Sequence, residues 1–350
     1  MIKYNVPNIG QGCCVEQLIY QNLERHRVLY DCGSNNLSLL RKYIDTLDPS
    51  IPTTLVLSHL HHDHINGIPH LLKHFAKHKI KKLFLPAYYP EFFNLFALGI
   101  IGRDADETTP EETRELVDFI INLRGGDGGS PSIAEVVYVD PRKDNLSRHR
   151  NRIIHTKPKK IIKSANENAY WAIKFWVDRD IYSLFADEDL DELKNIKPYE
   201  FIDKKEDAKN KYQDAVKKAK VNFNQTSMLM VTYLSGLSNI AQVLLYVNPL
   251  PHYRVLSFYN NGFVCTGDYP FSDRGKGKSI QRHYSEENIQ IRQMMVPHHG
   301  GKDYCDYIPF DFIERAYAQN KEKRYGHPDQ TVVDFVKSLG IEFINNQVKL

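Results

Sequence analysis

The sequence predicts an α/β fold in which helices cover a β-sheet, and two patterns in its first third support this prediction. Short apolar runs that end at Gly, Asn, Asp or His are typical of buried strands. Segments with apolar residues at helical spacing alternate with these runs, which is the order expected when a sheet packs against helices. With 350 residues, of which 42% are hydrophobic, the chain is long enough to bury a sizeable core.

The N-terminal elements follow one another in a regular order. Strands are predicted at residues 15–20, 27–30 and 54–57. After a histidine-rich loop, apolar residues repeat at helical spacing over residues 68–78 and predict a helix. The apolar run at residues 81–86 then predicts another buried strand. The order is therefore strand, loop, helix, strand.

Residues 91–222 differ in composition from the rest, and we interpret them as an insertion within a single domain that spans residues 1–350. They include a glycine-rich turn at 125–129, a basic stretch at 142–163 and a charged helical pattern at 203–220. The charged helix is interpreted as a solvated face with supporting ion pairs, and a nucleic-acid contact is the alternative. The insertion is also a candidate interface for a partner protein.

The C-terminal part returns to strand patterns, which predict antiparallel strands that complete a second sheet. The apolar runs lie at residues 227–234, 241–247, 255–259 and 262–265. A last helix is predicted over residues 331–339, and Gly340 would supply the left-handed cap that is common at helix ends.

Composition and charge exclude several classes of protein. No apolar run reaches the roughly 18 residues that a membrane helix needs, and the N-terminus lacks a basic and apolar leader, so we expect a cytoplasmic protein without membrane contact. A net charge of +3 is too small to predict a polyanionic partner by itself. The five cysteines are an odd number without zinc-ribbon spacing, which favours reduced thiols over a disulfide framework.

The most informative segment is the loop that follows the strand at residues 54–57. Four histidines and one aspartate fall within the six residues from 59 to 64. Imidazole and carboxylate groups are the ligands that divalent cations such as zinc take from proteins. Such a block is improbable as a set of ordinary surface or core residues, although a single structural ion is an alternative. The loop therefore predicts a metal centre.

The spacing within the loop predicts how it would bind metal. His59 and His61 can point the same way from the extended end of a strand. Asp63 and His64 lie on the turn into the following helix and can face a second ion. One short loop would thus serve two cations, whereas His62 falls outside this spacing and is expected to face away.

With this loop the chain resembles the metallo-β-lactamase superfamily, whose signature His-x-His-x-Asp-His is matched in full. The resemblance implies an αββα sandwich of two mixed β-sheets flanked by helices. It implies that Asp31, at the end of a strand, holds a histidine ligand by a hydrogen bond. It also implies that Asp268, in Thr266-Gly267-Asp268, bridges both metal ions. Considered without the resemblance, each of these two aspartates has a simpler interpretation as an ordinary turn residue.

Within the superfamily, the chain is most similar to the nuclease-like domain of the DNA-uptake protein ComEC and its stand-alone relatives. The similarity consists of short segments in a shared order between residues 10 and 328. They are Gly10-Gln11-Gly12, Asn224-Gln225-Thr226-Ser227, Val296-Pro297-His298-His299-Gly300 and Tyr325-Gly326-His327-Pro328. The segment at residues 91–222 matches nothing comparable.

This similarity implies roles for residues outside the loop, with a turn or a helix-capping residue as the alternative for each histidine. Among His298, His299 and His327, one would complete the metal shell and another would contact substrate or donate a proton. The predicted catalytic residues are Asp63, His299 and His327. The predicted substrate-binding residues are Asn224, Ser227 and Tyr325. The predicted metal ligands are His59, His61, Asp63, His64, Asp268, His298 and His299.

Two departures from the family pattern affect these predictions. Asn224 stands where most members carry a histidine, so one metal site would have fewer imidazole ligands. Fewer imidazoles favour oxygen-preferring ions such as manganese over a tight zinc pair. We therefore expect two divalent ions, Zn²⁺ or Mn²⁺. In place of the usual Ser-x-Gly and Asn pattern, the chain offers only Asn320. The sequence therefore does not define the substrate pocket.

The predicted function is a metal-dependent hydrolase, most simply a nuclease or phosphodiesterase that acts on DNA, because paired cations activate water and stabilise a leaving oxygen. The basic stretch at 142–163 and the cluster Lys321, Lys323 and Arg324 are candidates for steering a phosphate backbone, and solvated loops are the alternative. Two other hypotheses stay open. One is hydrolysis of a small ester, lactone, thioester or cyclic nucleotide, and the other is a non-catalytic binding module.

Overall fold

Two seven-stranded β-sheets pack face to face at the centre of the protein, as a computed structural model of the chain shows. Both sheets contain parallel and antiparallel pairs, and helices cover them, so the predicted fold class is confirmed. The structure describes residues 2–21, 24–103, 108–125, 130–140, 153–154, 159–163, 170–178, 180, 187–219, 223–235, 261–285, 289–321 and 326–348.

The first sheet holds its strands in chain order. They are β1 (Ile2–Asn5), β2 (Val15–Gln21), β3 (Glu24–Tyr30), β4 (Thr53–Val56), β5 (Lys82–Pro86), β6 (Val136–Val139) and β7 (Ile153–Ile154). β1, β2 and β3 are antiparallel, and β3 to β7 are parallel. All four residues of β4 are buried, as expected for a parallel strand covered on both faces.

The second sheet repeats this plan in the second half of the chain. Its strands are β8 (Lys159–Lys163), β9 (Tyr170–Trp176), β10 (Leu229–Ser235), β11 (Asn261–Cys265), β12 (Gln290–Met295), β13 (Arg315–Lys321) and β14 (Glu342–Val348). β8 to β11 are antiparallel, as predicted for β10 and β11. β11 to β14 are parallel, with α8 and α9 in two of their three crossovers, whereas the sequence predicted only antiparallel strands for this sheet. The predicted runs at 241–247 and 255–259 lie outside the described residues.

Nine helices are described in these ranges of the chain. They are α1 (Leu37–Asp45), α2 (His62–Ile65), α3 (Ile68–His74), α4 (Pro90–Ile101), α5 (Pro110–Gly125), α6 (Asp187–Lys194), α7 (Lys205–Ala219), α8 (Arg274–Ser285) and α9 (Gln330–Ser338). The predicted helix at 68–78 is too long, because turns with Lys79 at φ +53° redirect the chain towards β5. Gly340 has φ +76°, as expected for the cap of α9. In the described part of the chain, no helix has the length and apolar character needed to cross a bilayer.

An apolar core fills the space between the two sheets. Val28 and Phe84 of the first sheet and Phe175, Met230 and Phe263 of the second belong to one buried cluster. The Tyr30 hydroxyl of β3 donates a hydrogen bond of 2.6 Å to the carbonyl oxygen of Met228, just before β10. The two sheets are therefore locked in register close to the ends of β3 and β10.

The range 91–222, predicted to be an insertion, contains two kinds of element. Strands β6 to β9 extend the two sheets, whereas α4 to α7 form a helical layer beside the first sheet. Two glycines allow α4 and α7 to approach closely: a Cβ at Gly99 would lie 2.9 Å from Cε2 of Tyr212, and one at Gly102 would lie 2.6 Å from Cα of Lys209. The limits of the insertion stay a prediction.

A close backbone crossing at Gly33 fixes the histidine-rich loop. A Cβ at Gly33 would lie 2.4 Å from the backbone carbonyl of Asp63 and the amide nitrogen of His64. Hydrogen bonds from Cys13 N to Asp63 O (3.1 Å) and from Cys32 N to His64 O (2.8 Å) hold the crossing on both sides.

Replacing Gly33 should therefore destabilise the protein. We expect Gly33→Ala to lower the free energy of unfolding by about 1–3 kcal/mol, because the new methyl group has only backbone to push against. Gly275→Ala is the control, since a Cβ there meets only the Asp273 carboxylate, at 3.1 Å. Denaturant unfolding measures both variants, and a Gly33→Ala protein as stable as the control would contradict the crossing.

Candidate metal centre

The histidine-rich loop begins where β4 ends, beside the end of β3. Because β3 and β4 are parallel, Asp31 lies next to Ser58. Asp31 has φ +56°, a left-handed conformation that non-glycine residues rarely adopt and that is often retained at functional sites. This conformation turns its carboxylate under the loop instead of along the strand.

Asp31 holds the loop through both carboxylate oxygens. Oδ1 accepts a hydrogen bond of 2.6 Å from the backbone N–H of Ser58, and Oδ2 accepts one of 2.7 Å from the Ser58 hydroxyl. Oδ2 also lies 2.8 Å from Nδ1 of His64. Asp31 is fully buried, so these contacts replace its hydration and fix the His64 ring.

The three imidazoles of the predicted ligands in the loop each have one nitrogen held from outside. His59 Nδ1 lies 2.9 Å from the Ser58 hydroxyl and 3.2 Å from the Ser227 hydroxyl. His61 Nε2 lies 3.3 Å from the Tyr212 hydroxyl of α7, and His64 Nδ1 faces Asp31. The other nitrogens point into a common hollow, where His59 Nε2 and His61 Nδ1 are 3.0 Å apart. This is the arrangement expected of metal-binding histidines, whose outer nitrogen is fixed by a hydrogen bond.

Asp268 reaches the same hollow from the second sheet. It lies in the turn after β11, where Gly267 has φ +54° and a Cβ would lie 2.8 Å from that of Ser58. The Asp268 amide donates to the Ser227 hydroxyl at 3.1 Å. Its Oδ1 is 3.1 Å from His64 Nε2, and its Oδ2 is 3.7 Å from His59 Nε2. One carboxylate thus faces both parts of the loop.

The turn after β12 brings two more histidines to the hollow. His298 and His299 have φ +47° and φ +56°, so two successive non-glycine residues are held in the left-handed region. His299 Nε2 lies 3.4 Å from Asp63 Oδ2, and His298 Nε2 lies 3.8 Å from Asp268 Oδ2. The strain is consistent with a backbone shaped to place both rings at the site.

The donor set fits divalent cations. In the part of the chain that the structure describes, His64 Nε2, Asp268 Oδ1 and His299 Nε2 are buried and make no well-aligned hydrogen bond, although the first two atoms lie 3.1 Å apart. An unsatisfied buried group costs about 1–3 kcal/mol, so three in one hollow indicate a missing partner. Donor atoms within 4.8 Å of one another form two groups there, His59 with His64 and Asp268, and Asp63 with His64 and His299.

A third group of possible ligands is less suitable. Cys13, Asp31 and His64 also offer donors within 4.8 Å of one another. Burial raises the pKa of the Cys13 thiol to about 12, which opposes the thiolate that a metal requires. The Nδ1 of His64 is also bonded to Asp31. We therefore assign this group to the support of the loop.

The protonation states of Asp63, Asp268, His59 and His61 suit cation binding, whereas His64 must lose a proton to coordinate a cation. Although burial lowers the pKa of His64, Asp268 and Asp31 raise it above the usual value. Burial opposes ionisation of Asp63 and of Asp268, but nearby His64, with His299 and Arg103 at Asp63, holds the pKa of both carboxyl groups below the usual value. Burial lowers the pKa of His59, and it lowers that of His61 to about 4, so both rings are neutral at pH 7. Carboxylates and neutral imidazoles are the forms that coordinate metals.

A comparison with known protein families gives a match that includes the histidine-rich loop. Residues 18–144 match the family model described as the metallo-beta-lactamase superfamily. The matched segment includes β3, β4 and the whole histidine-rich loop. A comparison with curated proteins gives no significant match.

Three solved structures share low identity with the chain. The metallo-beta-lactamase fold protein YhfI from Bacillus subtilis is 12% identical, with a TM-score of 0.41, over 99% of this chain and 96% of that one. A B3 metallo-beta-lactamase with an active-site glutamic acid is 11% identical, with a TM-score of 0.31, over 97% and 87%. The metallo-beta-lactamase MIM-1 from Novosphingobium pentaromativorans is 12% identical, with a TM-score of 0.30, over 84% and 75%.

The predicted substrate-binding residues occupy different surroundings in the structure. Asn224 lies in a 3-10 turn before β10, and its Nδ2 donates a hydrogen bond of 2.9 Å to the Tyr304 hydroxyl. Ser227 is fully buried behind His59 and Asp268, a position that favours support of these residues over contact with substrate. Tyr325 lies outside the described residues, as do Lys323, Arg324 and most of the basic stretch at 142–163.

Two further histidines lie near the edges of the centre. The His327 ring packs edge-on against His298, with centroids 5.3 Å apart, and burial lowers the pKa of His327 to about 4. His62 turns away from the hollow, as expected from its spacing, and its Nε2 lies 3.2 Å from the Thr108 hydroxyl. The structure thus brings His327 to the outer edge of the centre, next to His298.

Three residues at the centre were missed by sequence reasoning. Arg103 lies at the end of α4, with Nη1 3.4 Å from Asp63 Oδ1 and Nη2 3.1 Å from Asn35 Oδ1. Tyr304 packs on the His298 ring, with centroids 4.1 Å apart. Tyr212 comes from α7, about 150 positions after its partner His61. No local pattern marks these residues, because their contacts depend on how distant segments pack.

The hydrogen bond from α7 to His61 leads to a test by metal binding. Tyr212→Phe keeps the ring but removes the hydroxyl that fixes His61, so we expect one of the two ions to bind about 10- to 100-fold more weakly. Titration with a chromogenic metal indicator measures the affinities. Tyr199→Phe, at a tyrosine that is 47% exposed, is the control. Unchanged metal affinity of Tyr212→Phe would rule out this role.

Proposed function

We propose that the protein is a metal-dependent hydrolase with two cations, and that its substrate is a phosphodiester of DNA. The observation that carries the proposal is the convergence of Asp268 on His59 and His64 from the opposite sheet, with unpaired buried atoms facing one hollow. His59, His61 and Asp268 would hold one ion. Asp63, His64 and His299 would hold the other, with Asp268 between them.

Two ions at this position would supply positive charge for the phosphoryl oxygens and make a shared water acidic enough to ionise near neutral pH. The chain supplies the rest of the site. Ser58, Ser227, Asp31 and Tyr212 fix the rings before substrate arrives, so little reorganisation is needed. The burial of His59, His64 and Asp268 excludes bulk water from the inner wall.

Hydrolysis adds the oxygen of water to phosphorus, breaks the bond between phosphorus and the ester oxygen, and leaves an alkoxide that must gain a proton. His298 and His327 lie at the outer side of the centre, where the His298 side chain is 26% exposed. Burial lowers the pKa of both rings, so their N–H groups can donate a hydrogen bond to the leaving oxygen, which takes its proton from water. His299 is only 4% exposed in its side chain, which favours a ligand role over contact with solvent or substrate.

Metal removal tests the first half of the proposal. We expect about two Zn²⁺ or Mn²⁺ ions per chain by elemental analysis, and chelation should lower the melting temperature because the ions bind only the folded chain. Asp268→Ala should lose bound metal and reduce hydrolysis at least about a hundredfold. Less than one ion per chain in the wild type would contradict the metal centre.

A substrate panel tests the second half. We expect cleavage of DNA with added Mn²⁺ or Zn²⁺, and binding that weakens steeply as salt increases, because phosphate contacts release counterions. Small esters, lactones, thioesters and cyclic nucleotides should be poor substrates. Salt-independent hydrolysis of one of these, without cleavage of DNA or RNA, would show that the substrate assignment is wrong although the metal centre is right.

A further inference from the structure

A cleft with a volume of about 340 Å³ opens between α4, α7 and the histidine-rich loop. His61 and His62 of the loop and Arg103 line it, together with Gly99 of α4. Lys209, Tyr212 and Gln213 of α7 line it as well. The cleft therefore borders the metal centre through His61, a residue of the histidine-rich loop, and through Arg103, whose Nη1 lies 3.4 Å from Asp63 Oδ1.

Close packing of α4 on α7 shapes this cleft. The missing side chains of Gly99 and Gly102 let the α7 backbone at Lys209 and the Tyr212 ring lie directly against α4. The Tyr212 ring is anchored at its far end by the contact with His61 Nε2, at 3.3 Å. One partly exposed aromatic ring is thus held in place beside the metal loop.

Two cationic side chains line the cleft. The Arg103 side chain is 32% exposed, while its neighbour Asp63 is only 12% exposed, so the guanidinium reaches solvent further than the carboxylate does. Lys209 has a side chain that is 37% exposed, and its Nζ is 3.8 Å from Glu206. Behind these residues, Leu60, Phe96 and Ile100 form an apolar floor.

We propose that this cleft binds one nucleoside phosphate unit of the substrate, with the phosphate at Arg103 and the base against Tyr212. A planar guanidinium with several N–H groups suits phosphate, and an aromatic ring suits the face of a base. The inference rests on the proposed function, because it places the neighbouring phosphodiester beside the metal loop. A free nucleotide, the end of a DNA strand and an unpaired stretch within a strand all offer the same base and phosphate to the cleft.

The size of the cleft favours binding of these substrates over binding of duplex DNA. A volume of about 340 Å³ lies at the lower end of ligand pockets, roughly 300–1,000 Å³, and takes one base with its sugar. A base inside a double helix would first have to leave its stack, at a cost of a few kcal/mol. The protein should therefore prefer single-stranded to double-stranded DNA.

Calorimetric titration of the metal-loaded, full-length protein tests the cleft without requiring turnover. The probes are dAMP, deoxyadenosine and inorganic phosphate. We expect dAMP to bind more tightly than either of the other two. Arg103→Gln should weaken dAMP binding roughly 10- to 100-fold, as expected for the loss of a hydrogen bond to a charged group. Gln213→Trp should fill the cleft and also weaken dAMP, but leave phosphate binding unchanged.

Two exposed residues provide matched controls. Arg114→Gln on α5 and Lys217→Gln on α7 remove the same charges away from the cleft and should bind dAMP as the wild type does. Metal content is measured for every variant, because Arg103 touches Asp63. Wild-type dAMP affinity in both Arg103→Gln and Gln213→Trp would overturn the cleft assignment. Equal weakening in the controls would also overturn it.

Oligonucleotides distinguish the sources of the nucleotide unit. Linear single strands, circular single strands and duplexes of one sequence are compared as substrates, and we expect both single strands to be cut faster than the duplex. A duplex cut as fast as the linear strand would overturn the size argument. Absence of any DNA cleavage, with dAMP binding that still depends on Arg103, would instead overturn the proposed function and leave the cleft as a nucleotide site.

Discussion

The burial of ionisable side chains between the two sheets is the constraint on which the rest of the structure depends. Asp31 is fully buried, and Asp268 is only 2% exposed. An ionised carboxylate removed from water is strongly destabilising unless other groups replace its hydration. Asp31 has such groups in the N–H and hydroxyl of Ser58 and in the His64 ring. Asp268 has fewer, since its Oδ1 faces His64 Nε2 at 3.1 Å but makes no well-aligned hydrogen bond within the described residues. The hydrogen bonds around Asp31 are complete, whereas a cation would fit beside Oδ1 of Asp268.

One topological rule explains how these groups meet. Asp31, His59, Asp268 and His298 each follow the carboxyl end of a strand, namely β3, β4, β11 and β12. All four strands belong to the parallel parts of their sheets, and the carboxyl ends of parallel strands lie at the same edge. Because the sheets pack face to face, the two edges lie side by side. The order of the strands and the packing of the sheets therefore bring these side chains together. The only further requirement is the strained turns at Asp31 and His298.

The same rule explains which parts could be predicted from sequence. The loop at residues 59–64 is local: strand, spacing and ligand chemistry are all readable within ten residues, and the structure gathers its predicted ligands as expected. Asp268 could be predicted only through resemblance, since its turn is unremarkable by itself. Tyr212 and Arg103 could not be predicted at all, because their contacts depend on the close packing of α4 on α7. The position of Ser227 could not be predicted for a related reason: a serine that opens a strand gives no sign of whether its hydroxyl faces a cavity or a predicted ligand such as His59, which it contacts here.

The residues that would carry out the reaction and those that would select the substrate lie in different parts of the fold. The metal-binding groups lie on turns at the edge of a rigid double sheet, where backbone packing such as that at Gly33 leaves little freedom. The cleft beside them is built mainly from α4, which lies within the segment matched by the family model, and from α7, which lies outside it. Substitutions on these helices, apart from Tyr212, can change the shape and charge of the cleft without moving Asp31, Asp268 or the loop. A fold alone therefore determines neither the reaction nor the substrate, which depend on the residues of the site. In this protein the information about substrate must be sought in the helical layer, which meets the metal centre where Tyr212 contacts His61 and Arg103 contacts Asp63.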